Sequence, residues 1–143
     1  MMKFQIQEYD AVALCNDAIY MARMRNEETI EIYFDTHIET QPITTDTGRL
    51  IQALVSTLTY PQKNTTHREI TFTLTRDDSG KQICFRISNS QLADPEINSK
   101  AVSIRHDINR LLLQHFGGSY NITADEQERP VINFTYPLDI ISE

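Results

Sequence analysis

The residues of this sequence whose types could do chemistry are few. His106 and Asp107 stand side by side, the composition of a metal-binding or proton-relay pair. Neighbouring helical residues point about 100° apart, however, and no second histidine or carboxylate follows at the i+4 spacing that would complete a ligand set. The pair therefore reads as a solvated helix start. His37, His67 and His115 fall on different segments, so no shared metal site is expected. Cys15 and Cys84 are too few and too far apart for a disulfide framework or a metal site, and read as small buried apolar residues. The run Asp125-Glu126-Gln127-Glu128-Arg129 reads as an exposed turn. More suggestive is the corner Tyr60-Pro61-Gln62-Lys63-Asn64, where a helix is closed abruptly and a lysine stands among amides. Such a corner either holds an anionic ligand or only joins two elements.

The elements that would position these residues follow from periodicity. Glu8 to Met24 reads as a helix, with Val12, Cys15, Ile19 and Ala22 on one face and Asp10 available near its start. Glu28 to Asp35 reads as a strand, with Ile30, Ile32 and Phe34 alternating against Glu31, Tyr33 and Asp35. Leu50, Leu54 and Leu58 line a helix that ends at Tyr60, with Asp46 as its N-cap. Strands Ile70 to Arg76 and Gln82 to Ser88 flank Asp77 to Lys81, whose Ser79-Gly80 suits a hairpin turn. A polar segment without periodicity, Asn89 to Lys100, leads into a helix from Val102 to Phe116 through Ile104, Ile108, Leu111, Leu112 and His115. Gly117-Gly118 stops it. Strands Ser119 to Thr123 and Val131 to Leu138 close the chain. The order predicts an α+β, two-layer sandwich: a mixed, mostly antiparallel sheet with about three helices on one face. Leu50, Leu54, Leu58, Phe72, Ile83, Phe85, Ile108, Leu112 and Phe134 are expected to form its core.

The chain of 143 residues suits a single domain, 1–143, and 40% hydrophobic with 23% charged residues suits a globular one. A net charge of −7 argues against a nucleic-acid partner, because phosphate contacts need a basic surface. No apolar run approaches the roughly 20 residues of a membrane span. Met1 to Glu8 carries no signal-peptide core, so a cytoplasmic location is the expectation.

The acidic residue before a long helix with "RLIQAL", the turn with a lysine, the hairpin, the irregular loop, then "LLLQHFGGSYNI" and "INFTYPL" together resemble the ATPase domain of sensor histidine kinases. This is the GHKL class shared with gyrase and MutL, whose architecture is the Bergerat-type ATPase fold. The resemblance runs from about Tyr9 to Leu138 and is carried by pattern and spacing.

It implies a nucleotide site built from several motifs. In the family an asparagine on the long helix holds the magnesium ion, Asn-Ala follows a turn later, and then a lysine. Those positions fall on Ser56, on Tyr60-Pro61 and on Lys63, so only the lysine survives. Serine is a short neutral ligand, and Mg²⁺ keeps its water rather than accept a poor site. The Asp-x-Gly-x-Gly motif that reads adenine falls on Asn89-Ser90-Gln91, where Asn89 has lost the charge and Gln91 adds a side chain at the first glycine. The Gly-x-Gly-Leu-Gly lid falls on Ala101-Val102-Ser103-Ile104-Arg105. Without glycine its amides cannot wrap a phosphate, although Arg105 could attract one as a point charge.

The expectation is a signal-transduction domain that keeps the fold without catalysis, holds no cofactor or metal, and acts by protein interaction. The contact surface would be Asn89 to Arg105, and the partner a signalling protein such as a sensor kinase or response regulator, with a homodimer as a further arrangement. The phosphoacceptor helix of a sensor kinase would lie upstream of this domain, so autophosphorylation within the chain is not expected. The domain would be a free signalling partner or the C-terminal piece of a larger sensor. The alternative is a weakly active kinase or ATPase binding ATP and magnesium through Lys63, Asn89 and Arg105.

Overall fold

A computed structural model describes residues 3–25, 30–59, 68–89, 100–124, 126 and 130–138. The elements are β1 (Ile6–Asp10), α1 (Ala11–Arg25), β2 (Ile30–Thr36), β3 (Pro42–Asp46), α2 (Thr47–Thr59), β4 (Arg68–Arg76), β5 (Gln82–Asn89), α3 (Lys100–His115), β6 (Ser119–Ala124) and β7 (Pro130–Pro137). Five strands form one sheet in the order β2-β4-β5-β7-β6. Its β2–β4 pair is parallel and the others antiparallel. β1 and β3 form a separate antiparallel ribbon. The α+β class, the mixed sheet and the three helices among the described residues agree with the sequence expectation.

Alternation on the sheet builds the core. Phe72 lies opposite Ile87, Leu74 opposite Phe85, and Phe85 opposite Phe134, so that one face is continuously apolar. Leu14, Ala18, Leu50, Leu54, Leu58, Leu112 and Leu113 from the helices are buried with it. Eight of the nine expected core residues are buried, and Ile108 is 53% exposed. The reason is the roll of α3. Its inward face is Asn109, Leu112 and Leu113, so that of the expected stripe Leu112 is buried while Ile108, Leu111 and His115 are exposed.

The C-terminus of α3 helps set that roll. The Gly118 amide donates to the Leu113 carbonyl at 2.8 Å and the Gly117 amide to Gln114 at 3.0 Å, a Schellman cap with Gly117 at φ +80°. A side chain on Gly118 would overlap the Thr135 carbonyl, so glycine lets the helix end press directly on β7.

At the N-terminus the expected helix Glu8 to Met24 begins three residues late. Glu8 to Asp10 are strand, paired with Thr44 to Pro42. Asp10 is the N-cap, its carboxylate accepting from the Val12 and Ala13 amides at 3.3 Å each. Because an N-cap residue has extended backbone, the helix can start only after it. β3 was not anticipated either, since Pro42-Ile43-Thr44-Thr45 offers a single large apolar residue. Asp46 caps α2 as expected, accepting from the Arg49 amide at 3.1 Å, and its other oxygen anchors the Gln5 amide at 2.9 Å.

Thr36 of β2 reaches across the parallel seam, its hydroxyl donating to the Leu74 carbonyl at 2.7 Å. In the β4–β5 turn the Asp77 carboxylate accepts from the Ser79 hydroxyl at 2.8 Å and the Lys81 amide at 3.1 Å, and Gly80 takes φ +73°.

Candidate functional site

α2 packs against β5 and α3, and each of these elements carries motif positions. Of those positions the structure describes Ser56 in full. It is half-buried, and its hydroxyl donates to the Ala53 carbonyl at 3.1 Å in its own helix. Thr57 does the same to Ala53 at 2.9 Å, and Thr59 to Val55 at 2.8 Å. The last turns of α2 thus turn their hydroxyls back onto the helix backbone, a known competitor for outward hydrogen bonds. Asn89 is the last residue of β5, opposite Ile70, and Ser103 and Arg105 lie in the first two turns of α3. Tyr60, Lys63 and Gln91 lie outside the described residues.

A magnesium–nucleotide complex needs oxygen ligands that face it at short, octahedral distances. Ser56 offers such a complex one neutral oxygen on a short arm, its proton donated to the Ala53 carbonyl.

His106 and Asp107 part company in the fold. Asp107 is exposed and pairs with Arg110 at 3.3 Å. His106 is half-buried, contrary to the expected solvated helix start, and its Nδ1 is hydrogen-bonded to the Tyr120 hydroxyl. Arg110 lies over the Tyr120 ring at 5.7 Å. His115 stacks on Phe4 with ring centroids 4.0 Å apart, and His37 is exposed. His67 lies outside the described residues. Among the described residues no group of three His, Cys, Asp or Glu could hold a metal ion.

Burial holds the thiol of Cys15 far above its ordinary range. Cys84 is half-buried between Asn133 and Thr135, and burial raises its thiol too. Neither is poised as a thiolate nucleophile. Asn109 is the polar residue that sequence reading missed. It is 3% exposed on the inward face of α3, and its Nδ2 has no hydrogen-bond partner among the described residues. Its signal in the sequence was position, three and four residues before Leu112 and Leu113.

No protein-family profile matches the chain, and no curated protein matches it in sequence. Solved structures do. The catalytic domain of histidine kinase ThkA, in a nucleotide-free form, superposes with a TM-score of 0.75 at 17% identity, covering 94% of this chain and 99% of that one. ThkA in complex with the response regulator protein TrrA matches with a TM-score of 0.70 at 16% identity, over 94% of this chain and 42% of that one. Full-length ShkA in complex with AMPPNP matches with a TM-score of 0.75 at 17% identity, over 99% of this chain and 33% of that one. The likeness is one of fold: this chain has the architecture of histidine-kinase catalytic domains over nearly its whole length. No helix among the described residues is long and apolar enough to cross a membrane.

Proposed function

We propose that this is a cytoplasmic signal-transduction domain that has kept the histidine-kinase ATPase fold, has given up nucleotide chemistry, and acts by binding another signalling protein. The observation that carries the reading is Ser56. At the position the resemblance assigns to the magnesium ligand, the side chain is a hydroxyl turned back onto Ala53. Asn89 and Gln91 at the adenine motif and the glycine-free run Ala101 to Arg105 point the same way. Three parts of one site have each lost the residue type their chemistry needs, while the core around them is intact. A fold can be maintained for binding without its pocket.

The ThkA complex holds a response regulator. A response regulator or a sensor kinase is the partner class we assign here, docking on the segment Asn89 to Arg105.

Calorimetric titration with ATP, with and without Mg²⁺, tests the nucleotide part. No binding heat and no shift in Tm at millimolar ATP are expected. A rise of several degrees would overturn the reading in favour of a weakly active nucleotide-binding domain using Lys63, Asn89 and Arg105, because a ligand selective for the native state must stabilise it.

A further inference from the structure

We infer that β6 is a self-association edge: it pairs antiparallel with β6 of a second copy of this chain, about a two-fold axis through Asn121. Among the described residues β6 has one neighbour, β7, and its other side ends the sheet. Edge strands of soluble proteins are normally blunted by charges, proline or a bulge. β2, at the opposite edge, follows that rule with Glu31 and Asp35. β6, reading Ser-Tyr-Asn-Ile-Thr-Ala, has neither charge nor proline along six residues. On a chain of net charge −7 this is a neutral strip along which two copies can approach.

The side chains are self-complementary about that axis. Directly opposed residues in an antiparallel pair share a face. Pairing centred on Asn121 sets Tyr120 against the partner's Ile122 on the helix side, and Ile122 is an apolar residue left 44% exposed in the single chain.

The helix above the strand adds charge complementarity. α3 packs on β6, with His106 and Arg110 both touching Tyr120. Asp107 and Arg110 are exposed, one turn apart, and of opposite sign. The two-fold axis runs the second α3 antiparallel to the first at roughly 10 Å, the usual separation of helices sharing a sheet face. Asp107 of each copy then faces Arg110 of the other, the reciprocal pattern that an isologous interface requires. A strand pair flanked by two helices lies at the low end of stable interfaces, so a dissociation constant on the order of 10 µM is expected.

Sedimentation of the whole chain from about 1 µM to about 500 µM tests this. A reversible dimer is expected. Ile122→Lys and Asp107→Arg should each raise its Kd at least about tenfold, the double exchange Asp107→Arg with Arg110→Asp should restore it, and Tyr33→Lys on the opposite edge should leave it unchanged. A circular dichroism spectrum checks that each variant folds, and the charge exchange decides the matter if Ile122→Lys does not. A wild-type monomer at the highest concentration, a dimer indifferent to both single changes, or a failed rescue would overturn the inference. None of these outcomes depends on whether ATP binds.

Discussion

Tyr136 and Thr45, 91 positions apart, share a buried hydrogen bond of 2.8 Å, and the burial of that phenol makes the fold sensitive to alkali. Burial is the main cause that pushes the Tyr136 phenol up to about 12, the Thr45 bond opposes it, and the charge of Asp46 adds to it. Because the folded value lies above the unfolded one, the neutral phenol contributes stability that is complete below pH about 10 and is lost as pH rises towards about 12. The loss is about 2 kcal/mol. Tyr136→Phe should cost about 1–3 kcal/mol at neutral pH by leaving the Thr45 hydroxyl without that partner. It should also lose less than the wild type between neutral pH and pH about 11, as read from urea midpoints. Parallel decline of the two proteins would show that this phenol is not responsible. Thr45 also marks what sequence could not reveal at this scale. A threonine reads as a solvent-facing strand residue, and its burial depends on a tyrosine in the last strand. The motif positions were legible by spacing alone, whereas the direction of the Ser56 hydroxyl required the helix around it.

The helix caps separate two kinds of glycine. Gly117 is needed for its left-handed backbone, and Gly118 for the absence of a side chain against Thr135. Gly117→Ala should therefore cost on the order of 1–2 kcal/mol. Gly118→Ala should cost more, because α3 or β7 must shift and the packed core resists displacement. Thermal unfolding compares them directly, and equal effects would mean that the α3–β7 approach tolerates a methyl group. Both glycines were legible as a helix stop because the residue type itself carries the conformation. The roll of α3 was not legible. Ile108 and Leu111 repeat as regularly as Asn109, Leu112 and Leu113, and tertiary packing chose the stripe containing a polar residue. β1 and β3 escaped notice for a related reason: each is short, and each derives its pairing from the other.

For the molecule as a whole, charge is the exposed variable. Glu31 and Glu69 sit in register on neighbouring strands of a protein of net charge −7. Raising NaCl from about 20 mM to about 300 mM should raise Tm by screening that repulsion. Glu69→Lys should stabilise by about 0.2–1 kcal/mol and flatten the salt response. A salt-independent Tm would mean that the surface charges are already balanced locally. The parallel seam between β2 and β4 has a different consequence, for the order in which the chain assembles. β4 and β5 are joined by a tight turn and can zip locally, whereas Thr36 meets Leu74, 38 positions further on, only after the chain between them has folded back with β3 and α2. Closing that long loop costs entropy before any seam contact compensates, so the seam forms on the late side of the folding barrier. Damage at Gly80 should then slow folding, while loss of the Thr36 hydroxyl should leave the folding rate alone and hasten unfolding.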